Sequence, residues 1–455
     1  MLTVLKLLHA ADLHLDSPLR GLARYEGAPE GEIRGATRGA LENLVQLALD
    51  EQVGAVLLAG DIYDGDWNDY NTGLFFRRQM SRLGEADIKV YLVSGNHDAA
   101  SNISRQLSLP QNVHVFSQHE PETAEAPDLG IAVHGQGYAK RDILDNLAIN
   151  YPAPRSGLFN IGLLHTALDG DGSVHLKYAP CSKTQLVDHG YDYWALGHVH
   201  TREVVADEPW IVFPGNLQGR YATETGPKGA TLITVDDARL RVLSVEHHTL
   251  DTVRWEHLEI DAREVGAVNE LDELVRNAML DARSSAGDDR LLAVRISVVG
   301  PSAVHEDLWR NRAQFTAEMR GLANDEFSQR VWVEKVRPAT SALGRSGSGS
   351  GLDTGISRTS AASPEGADGS DQTDPVDLAG LLDTAADLRR VADALRQDPE
   401  QLAELLASAP LVDKLPHDVR GPEQLPLSDP DWQRNLFDNA VDQLLALLDD
   451  QARQA

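Results

Sequence analysis

The sequence predicts an α/β fold, an α+β sandwich with central β-sheets flanked by helices, followed by a small α+β unit and a C-terminal helical segment. Three observations predict it. Apolar runs of strand length alternate with helical periodicities through the first hundred residues, as in a mainly parallel sheet covered on both faces. Those runs stop at glycine or at a short polar cluster, where α/β folds place their chemistry. Near residue 341 the composition turns to Gly, Ser, Thr and Asp, which marks a linker and sets off a tail.

The first strand covers residues 4–10 and runs into Ala10-Ala11-Asp12-Leu13-His14. A polar, glycine-containing loop is expected from Asp16 to Gly35, then a helix through Ala40, Leu41, Leu44, Val45, Leu47 and Ala48. A second strand, Ala55–Ala59, ends at Gly60-Asp61. A helix follows over about 72–83, and a third strand, 90–93, stops at Ser94-Gly95-Asn96-His97-Asp98, read as a loop. The chain then becomes strand-rich. Runs at 113–116 and 131–135 precede one at 159–164 that ends at His165. Another, 193–196, ends at Gly197-His198-Val199-His200, and 210–213 leads to Pro214-Gly215-Asn216. Strands at 229–235 and 240–245 close this part.

From about 253 to 336 the pattern is strand 255–260, helix 265–280, strand 291–299, helix 304–322 and strand 331–336, with no cluster of catalytic residue types. The expected boundaries are 1–248 for the main domain, 249–338 for the α+β unit, 339–376 for the linker and 377–455 for the helical tail. The tail patterns fall at 378–395, 401–407 and 432–448.

A chain of 455 residues with 42% hydrophobic content can bury a sizeable core in two or three domains. No run approaches 18 apolar residues, so no membrane span is expected. The first nine residues lack a basic start and a small-residue cleavage site, and read as a core strand rather than a signal. The one cysteine, Cys181, excludes an intrachain disulfide and points to a reducing cytoplasm. The net charge of -29 argues against a general polyanion-binding surface. About twelve of those excess negative charges fall after residue 340. A local basic patch, bound divalent ions or a partner can still supply a positive field for nucleic acid.

Five strand ends carry metal-ligand residue types: Asp12 with His14, Asp61, Asn96 with His97, His165, and His198 with His200. Singly, each has an ordinary explanation as a polar turn, a helix cap or a satisfied core histidine. In succession, each after an apolar strand, they predict convergence at one edge of one sheet. Carboxylates, imidazoles and one amide oxygen suit Mn²⁺, Fe²⁺ or Zn²⁺. Seven ligands exceed what one ion with open positions needs, and two ions sharing a carboxylate would use them all. Such a pair activates a water and clamps phosphoryl oxygens during in-line attack. His97, beside a ligand, is placed to protonate the leaving oxygen.

These blocks, Asp12-x-His14, Gly60-Asp61, Gly95-Asn96-His97-Asp98, His165 and Gly197-His198-x-His200, resemble those of the calcineurin-like metallophosphoesterase superfamily. The resemblance covers about residues 5–245 and implies a metallophosphoesterase core. It implies that Asp12, His14, Asp61 and His200 hold a first metal. It also implies that Asp61, Asn96, His165 and His198 hold a second, that His97 assists catalysis, and that Asp98 orients His97. Four runs are similar to SbcD-type DNA repair exonucleases of the YhaO-like branch: Ala11-Asp12-Leu13-His14-Leu15-Asp16-Ser17-Pro18-Leu19, Ala59-Gly60-Asp61-Ile62-Tyr63-Asp64, Trp194-Ala195-Leu196-Gly197-His198-Val199-His200, and Phe213-Pro214-Gly215-Asn216-Leu217-Gln218-Gly219-Arg220. That similarity implies a dimeric, Mn²⁺-dependent nuclease acting on DNA. It further implies a capping domain after residue 253 and C-terminal helices that dock on an SbcC-like or YhaN-like coiled-coil ATPase. One departure is Leu13 and Leu15-Asp16-Ser17-Pro18, where the better-known SbcD proteins carry Trp and Gly.

Arg20, Arg24, Arg34 and Arg38 follow the first block, and Lys140-Arg141, Arg202, Arg220 and Lys228 lie near later ones. They are candidates for a phosphate-backbone groove, with Arg20, Arg24, Arg220 and His175 as candidate substrate contacts. The alternatives to a DNA exonuclease are a phosphodiesterase or phosphatase of small nucleotides, and a weakly active metal-bound regulatory subunit of an ATPase.

Overall fold

Apolar strands without alternation need cover on both faces, and the structure supplies it with two stacked sheets and outer helices. The computed structural model describes residues 4–17, 28–64, 70–99, 108–168 and 178–342, and positions 392, 395, 429, 433, 434, 436, 437, 440 and 441. The expected substrate contacts Arg20, Arg24 and His175, and nearly all of the expected linker and tail helices, lie outside the described residues.

The elements begin with β1 (Val4–Ala10), α1 (Glu30–Asp50), β2 (Ala55–Ala59), α2 (Tyr70–Glu85), β3 (Lys89–Val93), α3 (Asn96–Ala99) and β4 (Val113–Val115). They continue with β5 (Glu122–Ala126), β6 (Ile131–Gly135), β7 (Phe159–His165), α4 (Lys183–Asp188), β8 (Tyr193–Gly197), β9 (Glu203–Asp207) and β10 (Trp210–Phe213). Next come β11 (Gly229–Asp236), β12 (Arg241–Thr249), β13 (Val253–Asp261), α5 (Glu270–Ala286) and β14 (Leu291–Ser302). The last are α6 (His305–Arg310), α7 (Arg312–Phe327) and β15 (Val331–Ala342).

One six-stranded sheet has the order β12-β11-β1-β2-β3-β4, the other β5-β6-β7-β8-β10-β9, and β13-β14-β15 form a smaller third sheet. Side-chain alternation along the strands defines the layers. Ala55, Leu57 and Ala59 of β2 face inward to meet Ile161 and Leu163 of β7 and Tyr193 and Ala195 of β8. Val56 and Leu58 face outward and pack with Leu41, Leu44 and Val45 of α1 and Phe76 and Met80 of α2. On the far side Leu164, Trp194, Leu196 and Phe213 form a third apolar layer with Tyr138, Ile143 and Leu186. No helix among the described residues is long and apolar enough to cross a membrane.

The chain divides into two units. The first holds Met1–Leu258, Val275–Ile296 and Glu318–Lys335. The second holds Glu259–Leu274, Ser297–Ala317 and Val336–Ala455. Within the second, His305 Nδ1 lies 3.0 Å from Thr340 Oγ1.

Several expectations need correction. The five strand ends do not belong to one sheet: β1, β2 and β3 lie in the first, β7 and β8 in the second. Hydrophobic pattern identifies strands but carries no pairing information. Helix α1 starts at Glu30, inside the expected loop, and its first turn holds Glu30 and Glu32 without a side-chain cap. The expected loop after Gly95 is the short helical turn α3. The expected helix over 265–280 runs from Glu270 to Ala286, and that over 304–322 is broken at Asn311. Strands β5 and β9 were not anticipated, being short edge strands in which charged residues interrupt the few apolar ones that meet the core. Helix α4 was missed despite the Ser182–Gln185 capping box at its start.

One buried polar residue ties the two sheets together. His9, on β1, places Nδ1 3.1 Å from Tyr193 Oη and Nε2 3.1 Å from the Leu196 carbonyl of β8. The carbonyl can only accept, so Nε2 carries the proton and the tyrosine hydroxyl donates to Nδ1. Burial lowers the His9 pKa to about 3. The unfolded chain takes a proton at about 6.5 and the folded one resists, so stability present above that pH is lost as pH falls toward the folded value. The loss from this residue reaches about 1.4 kcal/mol per pH unit. The stability difference between wild type and His9→Gln, from urea titrations, is therefore expected to shrink between about pH 6 and 4. A difference independent of pH would show that the folded protein does not hold this ring neutral.

Candidate metal centre

The five strand ends converge where the two sheets meet. The β1–β2 pairing continues past both strands: the Asp12 N–H donates to the Gly60 carbonyl, His14 to Asp61 and Leu15 to Ile62, at 2.9–3.0 Å. This carries Asp12 and Asp61 forward side by side. Asp12, His14 and Asp61 adopt positive φ angles of 52°, 43° and 51°, and His198 one of 106°. Each such non-glycine residue costs about 1–3 kcal/mol, and such costs concentrate at functional sites. Two glycines make room. A Cβ on Gly95 would sit 2.2 Å from Asp61 Oδ1, and one on Gly60, whose φ is +92°, would sit 2.5 Å from His165 Nδ1.

The site is crowded with donors of electron pairs, most of them buried. Asp12, His14, Asp61, Asn96 and His165 are all at most 3% exposed. His14 Nε2 faces His200 Nε2 at 3.3 Å and Asp61 Oδ2 at 3.8 Å. On its other side Asp61 Oδ2 lies 3.6 Å from His165 Nε2, which is 2.9 Å from Asn96 Oδ1. Asp12 Oδ1 lies 3.9 Å from His200 Nε2. The His198 ring rests edge-on against His165, with centroids 5.3 Å apart, and the His198 backbone N–H donates to Asp12 Oδ2 at 3.0 Å.

These atoms fit cations. His165 Nδ1 donates to the Ala59 carbonyl at 2.9 Å, so the Nε2 of a neutral ring turns a lone pair toward the Asn96 and Asp61 oxygens. His200 likewise donates from Nδ1 to Glu224 Oε1 at 2.7 Å, leaving Nε2 free to ligate. Asp12 Oδ1 is buried with no hydrogen-bond partner among the described residues. Burial, reinforced by Arg220, pushes the His14 pKa well below the histidine norm, so that ring is neutral. A bound cation would satisfy these groups. Among the described residues, three sets bring ligand atoms within 4.8 Å of one another: Asp12, His14 and His200; Asp12, Asp61 and His165; and His14, Asp64 and His97. The structure thus gathers Asp12, His14, Asp61, Asn96, His165, His198 and His200 into one cluster, with Asp61 between its halves.

His97 lies at the rim, its side chain 31% exposed, with Nδ1 2.7 Å from Asp64 Oδ1. Burial opposes charge on this ring, but Asp61 and Asp64 outweigh it and hold its pKa above the ordinary histidine value. The residue expected to orient His97 was Asp98, and here the structure corrects the expectation. The Asp98 carboxylate accepts the backbone N–H groups of Ile62, Tyr63 and Gly95 at 2.9–3.2 Å, so it knits the β2 and β3 loops together. Burial, with Asp61 nearby, raises its pKa to about 6. Asp64 does the orienting instead. Its signal was a second carboxylate three residues after Asp61. Glu224, behind His200, gave no sequence signal.

The expected basic groove is partly committed elsewhere. Arg220 is 9% exposed, with its guanidinium on carboxylates. Arg38 pairs with Asp16, and Lys228 donates to the His200 carbonyl.

A carboxylate–imidazole cluster at the seam of a two-sheet sandwich, with a carboxylate-held histidine beside it, is the donor set of a protein that holds divalent cations. Residues 5–202 match the calcineurin-like phosphoesterase family, and residues 255–341 match the middle domain of the metallophosphoesterase YhaO. The chain is 35% identical to metallophosphoesterase YhaO of Bacillus subtilis (strain 168) over 287 residues, 62% of this chain and 69% of that one. It belongs to the calcineurin-like metallophosphoesterases, on the YhaO branch, whose fold carries a dinuclear divalent metal site. Two DNA double-strand break repair proteins named Mre11 are more distant. That of Methanopyrus kandleri is 25% identical, covering 58% of this chain and 59% of its own length. That of Halobacterium salinarum is 22% identical, covering 61% and 68%.

Proposed function

We propose that this phosphoesterase is a DNA nuclease of the exonuclease type that uses two Mn²⁺ ions, works as a homodimer in the cytoplasm, and partners an SbcC-like or YhaN-like coiled-coil ATPase in DNA repair. The observation that carries the reading is the His97–Asp64 pair beside the ligand cluster, an acid poised where a leaving oxygen departs. The similarity to the Mre11 repair proteins supports polymeric DNA as substrate.

Asp12, His14, Asp61 and His200 would hold one ion, and Asp61, Asn96, His165 and His198 the other. When bound, the ions supply Lewis acidity and an activated water for attack on phosphorus. The chain's own residues do the rest. Asp61 keeps the two halves of the cluster together, and Oδ1 accepts the His97 N–H at 2.9 Å, which ties the acid to the ligand shell. Asp64 holds His97 Nδ1, so Nε2 is the atom that carries the proton to the leaving 3′ or 5′ oxygen.

The test is cleavage of labelled linear DNA with Mn²⁺, beside bis-p-nitrophenyl phosphate. Cleavage of both is expected, with DNA turnover at limiting substrate falling steeply between about 50 and 200 mM salt while the small ester is little affected. Turnover of the ester without DNA cleavage at any salt would replace the reading with a small-nucleotide phosphodiesterase.

A further inference from the structure

Behind the ligand cluster lies a buried clamp whose central members, Arg220 and Glu224, belong to none of the ligand sets. Glu224 Oε1 accepts from His200 Nδ1 at 2.7 Å. Its other oxygen accepts from the Arg220 backbone N–H at 2.7 Å and from Asn216 Nδ2 at 3.0 Å. The Arg220 guanidinium sends Nη2 to Glu224 Oε1 and Nη1 to Asp64 Oδ2, each at 3.3 Å. Asp64 Oδ2 also takes the Ser17 hydroxyl at 2.7 Å, while Oδ1 faces His97 Nδ1. The Arg220, Asp64 and Glu224 side chains are 8%, 16% and 12% exposed, so little water screens these contacts.

A single guanidinium therefore joins the carboxylate behind the acid histidine to the carboxylate behind a ligand histidine. Guanidinium suits this task. It is planar, always charged, and presents several donors in a rigid fork, so it fixes two carboxylates at once. A lysine ammonium offers charge without that geometry. The alternative use of Arg220, contact with a substrate phosphate, would require breaking a buried pair, which is strongly unfavourable.

We infer that Arg220 and Glu224 are positioning residues that set ligand geometry and acid placement together, Glu224 by orienting His200 and Arg220 by tying Glu224 to Asp64. The inference rests on the two-metal phosphoesterase reading above and deepens it. It makes the acid and the ligand shell one mechanical unit: a shift of Arg220 disturbs both.

The experiment uses the full chain with Mn²⁺ alone as the binding probe in isothermal titration calorimetry, bis-p-nitrophenyl phosphate for kinetics, and thermal melts to confirm folding. Glu224→Gln is expected to bind Mn²⁺ roughly 10–100-fold more weakly, as loss of a ligand's supporting partner does. Part of its lost turnover is expected to return in excess Mn²⁺. Arg220→Lys is expected to weaken Mn²⁺ binding and also to keep a reduced kcat at saturating Mn²⁺, with KM unchanged. Because both effects of the Arg220 change pass through the clamp, Mn²⁺ affinity in the double variant is expected to fall by less than the product of the single losses. Arg220→Met serves as a stronger break, and if it does not fold, Arg220→Lys decides. Folded variants with wild-type Mn²⁺ affinity and kcat would overturn the inference. A fall in only one of the two quantities in Arg220→Lys would overturn the coupling. Wild-type protein that binds no Mn²⁺ would instead overturn the two-Mn²⁺ reading on which the inference rests, a separate failure.

Discussion

His97→Ala is expected to lower kcat by roughly 10²–10⁴-fold, the range for loss of a positioned general acid, while Mn²⁺ binding persists. The ring is at the rim, partly open to substrate, and Asp64 orients it from behind. Its backbone N–H, which anchors Asp61 Oδ1, is untouched by the substitution. Calorimetry with Mn²⁺ separates the two effects: turnover falls and affinity holds. Companion variants distinguish the two neighbouring carboxylates. Asp64→Asn is expected to share part of the kinetic loss. Asp98→Asn is expected to lose stability instead, about 1–3 kcal/mol, because an amide cannot accept from all three backbone N–H groups it now serves. A catalytic loss in Asp98→Asn at full stability would return the orienting role to Asp98.

The second large effect is expected for Asp61→Asn. Asp61 Oδ2 stands between His14 Nε2 at 3.8 Å and His165 Nε2 at 3.6 Å, one from each half of the cluster. An amide keeps the shape and removes the charge that both ions would share. Loss beyond the roughly 10–100-fold expected for an outer partner is predicted, with at most one ion still bound. Turnover should then be undetectable at Mn²⁺ concentrations that saturate the wild type. Two ions bound at wild-type affinity would show that Asp61 is not shared.

Much of this site was legible because the strands that carry it are covered on both faces. Such strands read as unbroken apolar runs, and the polar residue that ends each run stands out: Asp12 after β1, Asp61 after β2, His165 at the end of β7. What was not legible depends on contacts across the fold. No pattern within β7 or β8 says that they pair apart from β1–β3, so a site on one sheet was expected where two sheets meet. Asp64 and Asp98 are both acidic residues near ligands, and only the backbone geometry decides which faces His97. Glu224 acts solely by meeting His200 across the chain, and nothing local marks it. The start of α1 was missed for a different reason: Pro29 precedes it without a capping side chain, and only the acidic first turn announces it.

The place of β1 has a consequence for the chain as it is synthesised. Its parallel neighbour β2 follows soon after, but its antiparallel neighbour is β11, with Val4 opposite Asp236 and His9 opposite Thr231. A nascent chain that has reached His200 already contains every ligand residue, yet one side of its first strand still exposes unpaired backbone. Such an edge invites association with other chains until β11 emerges and closes it. A stop shortly after His200 would thus leave the complete set of chemical groups on a product prone to aggregate. Expression of such fragments should be limited by solubility rather than by any missing ligand.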